Sequence, residues 1–247
     1  MYRFILYALL VLGLLNSPSL FAQEWAASPT QWQGGVGLIL GVPQGAFQRN
    51  ITDPGIGIGG HIGYRVPQSP LMIGLRIDYL IYGYERRAAP FSTTIPDVTV
   101  DVNTNNNILQ TNIFMRIQPR NGVFRPYIEG LAGMNYLFTH TSIHDQSSIF
   151  NDNDAIASTV NFDDAALTYG FGAGFNLRVY DGREKRAITQ RGVGAVSLDF
   201  SLRYLNGTEA SYLREGSIKR QNGQVTYSAF RSRTNLVTGM IGVSVDF

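Results

Sequence analysis

Apolar and polar residues alternate along eight stretches of this chain. An alternation with a period of two places apolar side chains on one face of a β-strand and small or polar side chains on the other. Clusters of Gly, Pro, Asn and Asp separate the stretches, as turns do. The pattern predicts eight strands, at residues 31–42, 55–65, 71–84, 105–117, 124–138, 166–179, 193–205 and 233–247.

The third predicted strand shows that charged residues lie in the middle of the polar face. Leu75, Ile77 and Tyr79 share one face, whereas Arg76 and Asp78 share the other. The aliphatic face of such a strand turns inward in a water-soluble sandwich and outward, toward lipid, in a membrane barrel. The alternation alone does not choose between these two arrangements.

The lengths of the links between the strands favour the barrel. Residues 66–70 and 118–123 form short links, whereas 85–104, 139–165 and 206–232 are long and polar. Short turns at one end and long polar loops at the other are typical of outer-membrane barrels. Because lipid offers no hydrogen-bond partners, such a sheet must close on itself. We therefore expect 31–42 to pair with 233–247.

The first residues predict export from the cytoplasm. Arg3 precedes an apolar run from Phe4 to Leu15, and Pro18 and Ala22 follow it. This order is typical of a secretory signal peptide, and the run of about a dozen residues is shorter than the roughly 20 that a membrane-spanning helix needs. The sequence predicts a signal peptide at 1–22 and one domain at 23–247.

Composition supports a β-protein that hides much of its surface from water. The chain has 27 Gly, 12% aromatic residues and only 15% charged residues, against a usual quarter. It has no Cys, so neither a disulfide nor a lipid anchor on cysteine is available, and complete backbone pairing is one alternative stabiliser. The formal net charge of +2 gives no indication of a nucleic-acid partner.

The last residues, TGMIGVSVDF, add a motif to this pattern. Together with the amphipathic stretches, they make the chain resemble the small outer-membrane β-barrel family, which includes the OmpA transmembrane domain and OmpX. In that family the last strand carries a signal for the barrel assembly machinery, in which a polar residue precedes a Gly, a hydrophobic residue and a final aromatic. Gly242, Val245 and Phe247 match the signal, and Met240 departs from it at the polar position.

The resemblance implies a closed, antiparallel, eight-stranded transmembrane β-barrel in the cell outer membrane. A barrel of this size has an interior just wide enough for side chains, so inward charges are expected to pair rather than line a channel. We expect Arg178 and Asp246, on the same face, to lie at strand ends in water. The predicted network in the lumen comprises Arg76, Asp78, Arg116, Glu129, Arg178, Asp199 and Arg203.

We predict a non-catalytic protein with no cofactor or metal, whose role is structural or depends on surface interactions of its long loops. Its expected partners are outer-membrane lipid and lipopolysaccharide, the assembly machinery during insertion and an unidentified external ligand of the loops, and we expect a monomer that binds no nucleic acid. A narrow pore is one alternative.

A lipid-modifying enzyme is the other alternative. His140 and Ser142 resemble the His-x-Ser motif of the lipid A deacylase PagL, and Asp152 or Asp154 would have to supply the acid. The acidic run 151–154 offers oxygen ligands for Ca²⁺ but lacks the Gly and Glu of an EF-hand loop, which favours a solvated loop.

Overall fold

The computed structural model describes residues 31–90, 99–145, 157–182, 194–221 and 224–247. Eight strands in these ranges form a closed antiparallel ring in chain order. This confirms the predicted fold class. The ring strands are β1 (Trp32–Pro43), β2 (Gly55–Arg65), β3 (Leu71–Pro90), β4 (Thr99–Ile117), β5 (Phe124–Asp145), β6 (Ala157–Asp181), β7 (Ala195–Gly207) and β12 (Leu236–Asp246).

The first and last ring strands close the barrel, as predicted. Leu38 of β1 lies opposite Ile241 of β12, and the register continues to the pair Gln33 and Asp246. Beyond the last strand residue, Phe247 still donates to the carbonyl oxygen of Trp32 at 2.9 Å and accepts from the Trp32 amide at 3.0 Å. The ring therefore leaves no open strand edge at this seam.

The two faces of the barrel have opposite polarity. Large aliphatic side chains point outward and remain uncovered, and Leu38, for example, is 69% exposed. Arg, Asn, Gln and Asp side chains point inward and are buried. This is the reverse of a water-soluble sandwich, and it assigns the aliphatic face to the outside. In the described part of the chain, no α-helix is long and apolar enough to span a lipid bilayer.

Four ring strands are longer than the sequence pattern predicted. β3, β4, β5 and β6 have 20, 19, 22 and 25 residues, whereas the alternation ended or began at 84, 105, 138 and 166. The strands continue past these points as paired hairpins. The residues of these extensions are mostly polar, so they carry little of the apolar alternation from which strands were predicted.

The long links also contain elements that the sequence analysis did not predict. A five-residue helix, α1 (Ala46–Asn50), lies between β1 and β2. The link from β7 to β12 contains four short strands, which form two hairpin-like pairs, β8 with β11 and β9 with β10. Their bounds are Glu209–Tyr212 for β8, Ile218–Gln221 for β9, Gln224–Tyr227 for β10 and Phe230–Arg233 for β11.

Candidate functional site

A layer of buried ion pairs fills the middle of the barrel. Glu129 bridges two arginines: its Oε2 accepts from Nε of Arg116 at 2.9 Å and lies 2.8 Å from Nη2 of the same residue, and its Oε1 accepts from Nε of Arg203 at 2.5 Å. A Cβ on Gly172 would lie 2.7 Å from Cγ of Arg203. Glycine at this position therefore allows Arg203 on β7 to reach across β6 to Glu129 on β5.

Two further acids belong to this central charge layer. Arg76 and Asp78 lie two residues apart on β3, on the same inward face, and Nε of Arg76 donates to Oδ2 of Asp78 at 2.7 Å. Asp199 accepts a hydrogen bond from the hydroxyl of Tyr127 at 2.8 Å. The central charge layer therefore contains six of the seven charges predicted for the lumen: Arg76, Asp78, Arg116, Glu129, Asp199 and Arg203.

Arg178, the seventh predicted member, lies outside this layer. Its Nη1 pairs with Oδ2 of Asp181 at 2.7 Å, near the end of the barrel where the short links lie, and its side chain is 12% exposed. A bulge between Arg178 and Tyr180 interrupts the pairing of β6 with β7 at this point. We call the end of the barrel that carries the short links the short-link end, and the opposite end the long-link end.

A second layer of charges closes the short-link end and corrects our expectation for Asp246. This residue is only 4% exposed, and its oxygens accept from Nη1 of Arg125 and from Nε2 of Gln33, both at 2.7 Å. Nη2 of Arg65 lies 3.6 Å away. Asp246 does not face water because two arginines and a glutamine fill the barrel end around it.

The sequence analysis missed Arg65 and Arg125, although a usable signal was present. Arg65 follows His61 by four residues on β2, and Arg125 precedes Glu129 by four on β5, so the period of two places each on the inward face. Their positions near the strand ends concealed them, because a pattern does not show whether a strand end is buried.

An apolar cluster fills the interior toward the long-link end. Phe47 of α1 is fully buried, and its ring lies 4.9 Å from the ring of Tyr212 and 6.1 Å from that of Tyr82. The Asn50 side chain donates to the hydroxyl of Tyr212 at 2.8 Å. We call the set the apolar plug, and its buried members are Phe47, Ile51, Tyr82, Ile108, Leu137, Ala166, Ala210, Tyr212 and Leu236.

A segment of the last long link, residues 208–217, crosses the mouth and contributes Ala210 and Tyr212 to the apolar plug. We call this segment the strap. One end is bound to β6, where the amide of Thr208 donates to the carbonyl of Leu167 at 2.9 Å and the amide of Ser211 donates to Oδ2 of Asp164 at 2.7 Å. The hydrogen bond from Ser211 is the main reason that the pKa of the Asp164 carboxyl lies below its ordinary value.

The other end of the strap is bound to β3. The amide of Tyr84 donates to Oε1 of Glu215 at 2.9 Å, and the amide of Gly216 donates to Oε2 of Glu85 at 2.9 Å. The hydroxyl of Tyr82 donates to the carbonyl of Leu213 at 3.1 Å. Because β3 and β6 are separated by two strands of the ring, the strap spans the opening.

Two residues of the alternative enzyme site lie within the described part of the chain. His140 and Ser142 lie two residues apart on β5, but Nε2 of His140 is buried without a hydrogen-bond partner. Asp152 and Asp154 lie outside the described residues, as does the predicted signal peptide at 1–22. Among the residues that the structure describes, no group of three or more His, Asp or Glu side chains could hold a metal ion.

The residues of the predicted assembly signal lie along β12 and just beyond it. Val245 is opposite Gly34 of β1, and Gly242 is opposite Gly37, where a Cβ would approach the Val36 carbonyl oxygen to 2.3 Å. Phe247 is 47% exposed. Met240, which departs from the signal, points inward, where its sulfur contacts Nη2 of Arg76 at 2.8 Å.

A closed ring with an aliphatic outer face and an ion-paired interior defines a transmembrane β-barrel. Comparison with protein families gives the same result, because residues 8–179, well over half of the chain, match the model of the outer membrane protein β-barrel domain. The chain belongs to this family, and the protein lies in the cell outer membrane. A search of curated proteins finds no match.

Solved structures of small outer-membrane barrels are similar in fold. Neisserial surface protein A, NspA, shares 13% identity over 87% of this chain and 97% of its own, with a TM-score of 0.43. Ail of Yersinia pestis, solved with the heparin analogue sucrose octasulfate, shares 12% over 89% and 100%, with a TM-score of 0.37. The N-terminal barrel of Pseudomonas aeruginosa OprF shares 11% over 88% and 99%, with a TM-score of 0.37.

Proposed function

We propose that this protein is a monomeric, non-catalytic barrel that holds an interaction surface outside the cell, with its long-link end facing the external medium. Residues 1–22 serve as its export signal. The external ligand is bound by the extended hairpins and the strap. The protein has a structural or attachment role in this proposal, and the outer-membrane lipid and lipopolysaccharide surround it.

The observation that carries this proposal is the length of β3 to β6. A strand needs about 9–11 residues to cross an outer membrane, whereas these four have 19–25. The excess of about 10 residues per strand corresponds to about 30 Å of paired sheet beyond the membrane, at roughly 3.3 Å per residue. A barrel whose only role was to span the membrane would not need a sheet that projects beyond it.

The filled interior favours an interaction role over a pore. The central charge layer, the charges around Asp246 and the apolar plug lie in series along the barrel, and the strap crosses the mouth. An open channel requires a continuous water path, which paired charges and packed aromatic rings interrupt.

The outer face supports the proposed lipid contacts. Aromatic contacts join three tyrosines of the ring strands to Phe side chains: Tyr79 and Tyr136 to Phe138, and Tyr204 to Phe171. Rings with an apolar body and a polar edge are enriched at the level of the lipid headgroups.

Epitope tags on intact cells test this proposal. A tag inserted after Gly216 in the strap should bind antibody on intact cells, whereas one inserted after Gln68, in the short link between β2 and β3, should bind only after permeabilisation. Accessibility of the Gln68 tag alone would reverse the orientation and overturn the proposal.

Mass spectrometry of lipid A tests the enzyme alternative. Cells that express the protein and cells that express Ser142→Ala should contain the same acylated species. Loss of an acyl chain with the natural protein, restored by Ser142→Ala, would replace the non-catalytic proposal with deacylation.

A further inference from the structure

A pocket at the long-link end lies beside the strap and borders the apolar plug, with which it shares Ile51 and Tyr82. It has a volume of about 270 Å³, and α1, the residues after it, β3, β4 and the strap all contribute to its lining. Its floor is formed by the buried residues Ile51, Tyr82 and Asn106. Its rim is formed by exposed polar and charged side chains, namely Arg49, Thr52, Asp53, Arg214 and Glu215.

A bulge in β3 opens one wall of the pocket. The register of β3 against β4 shifts between Ile81 and Gly83, and a Cβ on Gly83 would lie 2.7 Å from Nδ2 of Asn106 and 3.4 Å from Cγ of Glu215. Oδ1 of Asn106 accepts from the hydroxyl of Thr139 at 2.7 Å, which fixes the orientation of the amide. Bulges often redirect side chains beside binding sites. Any side chain at Gly83 would fill this space.

Two guanidinium groups of the pocket have no acidic partner in the described part of the chain. Neither Arg49 nor Arg214 forms an ion pair among the residues that the structure describes. Arg214 is nevertheless held in place, because its guanidinium carbon lies 4.2 Å above the ring of Phe230. Glu215, in contrast, is occupied, since it accepts the hydrogen bond from the Tyr84 amide.

We propose that this pocket binds a small anion that also carries hydroxyl groups, such as a sugar acid, from the external medium. The carboxylate lies between Arg49 and Arg214, which donate charge-assisted hydrogen bonds. Thr52, Asp53 and the amide of Asn106 contact the hydroxyl groups. This site rests on the proposed function, since it requires the long-link end to face outward.

The position of the pocket excludes a headgroup of the surrounding membrane as its ligand. Tyr82 and Asn106 are buried side chains on the inner side of the barrel wall, whereas the lipid contacts the outer side. α1 and the strap contribute to the pocket lining. A soluble molecule can enter from the open end, but a lipid that remains in the membrane cannot reach the floor.

Calorimetric titration with glucuronate tests the site. The full-length protein, in detergent free of lipopolysaccharide, should bind glucuronate in a saturable manner and should bind the uncharged control glucose at least about tenfold more weakly, since a charge-assisted bond contributes about this factor. Absence of saturable glucuronate binding, or equal binding of glucose, would overturn the proposal.

Three variants assign the binding to this pocket. Arg214→Gln should weaken glucuronate binding about tenfold, whereas the control Arg231→Gln should leave it unchanged, because Arg231 is an exposed arginine of the same link that pairs with Glu209 outside the pocket. Gly83→Ala should weaken binding of both glucuronate and glucose by filling the wall. Each variant should keep the heat-modifiable gel migration of a closed barrel.

Equal effects of Arg214→Gln and Arg231→Gln would show binding to surface charge in general and overturn the site. The epitope experiment separates this failure from that of the proposed function. If the tag after Gly216 is accessible but glucuronate does not bind, only the proposed binding site is refuted. If the tag is inaccessible, both the binding site and the proposed function are refuted.

Discussion

Two interior acids of this barrel contact more than one donor, Asp199 accepts from a hydroxyl, and Asp78 pairs with Arg76. Glu129 pairs with Arg116 and Arg203, and Asp246 pairs with Arg125 and accepts from Gln33. Removing a charge from water is costly, so a buried pair stabilises little compared with apolar packing, but loss of one partner leaves the other uncompensated. The stability of the barrel should therefore be sensitive to single neutralisations.

Arg76→Leu tests this sensitivity. It removes the partner of Asp78 and should lower the free energy of unfolding by about 3–5 kcal/mol, because the carboxylate remains buried without its ion pair. Urea unfolding in lipid vesicles measures the change. Adding Asp78→Asn should restore part of the loss, since the second substitution removes the uncompensated charge.

Arg231→Leu is the matched control for this measurement. The Arg231 side chain is 71% exposed, and its ion pair with Glu209 is on the surface, so the change should be below about 1 kcal/mol. If the Arg76→Leu variant were as stable as the wild-type protein, or more stable, this would contradict the stabilising role of the pair Arg76 and Asp78.

Asp164 makes the docking of the strap dependent on pH. Its carboxylate accepts from the amides of Ser211 and Ala165, and its pKa is lower in the folded protein than in the unfolded chain. A lowered folded pKa contributes stability that is complete above the ordinary value of about 3.9 and is lost as the pH falls through the folded value. The strap should therefore loosen below about pH 4.

Protease cleavage within 208–217, measured between pH 6 and pH 3 with an acid-active protease, checks this expectation. Cleavage of the natural protein should increase as the pH falls. Asp164→Asn should be cleaved faster at pH 6 and should show a smaller dependence on pH. An equal pH dependence in both proteins would assign the loosening to other groups.

At the level of the strands, the seam between β1 and β12 joins closure to assembly. Phe247 continues the pairing of β12 with β1 through two backbone hydrogen bonds to Trp32, while its side chain stays exposed. Because the Phe247 side chain does not pack in the barrel interior, it is available to contact another protein. We propose that this partner is the barrel assembly machinery, which reads Gly242, Val245 and Phe247 during insertion.

Phe247→Asp tests the assembly signal. The variant should be exported but degraded in the periplasm, so that its amount in the outer-membrane fraction falls while the backbone pairing potential is unchanged. Quantitative immunoblots of the fractions measure this. Phe247→Tyr should keep the natural amount, because it retains the aromatic ring.

Trp32→Ala is the control for this experiment. It removes an exposed aromatic ring from the neighbouring position at the same barrel end, where Trp32 contacts Tyr64. We expect the amount of this variant in the outer-membrane fraction to equal that of the wild-type protein. An equal loss for Trp32→Ala and Phe247→Asp would indicate that the rim needs aromatic rings in general, and it would remove the case for a signal.

For the whole molecule, the successive layers that fill the barrel interior predict that the protein does not conduct ions. The purified protein should show no steady conductance in planar lipid bilayers, because two charge layers and the apolar plug interrupt the water path. A variant in which residues 209–233 are replaced by a short Gly linker should also show no steady conductance, since the central charge layer remains. A large, stable conductance of the natural protein would favour the pore.

The eight strands, their faces and their closure were predictable from the sequence, because lipid outside and polar groups inside impose a strict period of two on every membrane-crossing residue. Six inward charges followed from the same period. The extensions of β3 to β6 were not predicted, because their residues are mostly polar and no apolar face marks them as strands.

The contacts between distant strands needed the tertiary structure. No pattern along the chain shows that Glu129 joins Arg116 to Arg203, that Asp246 is enclosed by Arg65 and Arg125, or that the strap joins β6 to β3. Periodicity determines which face a side chain occupies, whereas its partner depends on the curvature of the closed ring and on the way the long links fold over its mouth.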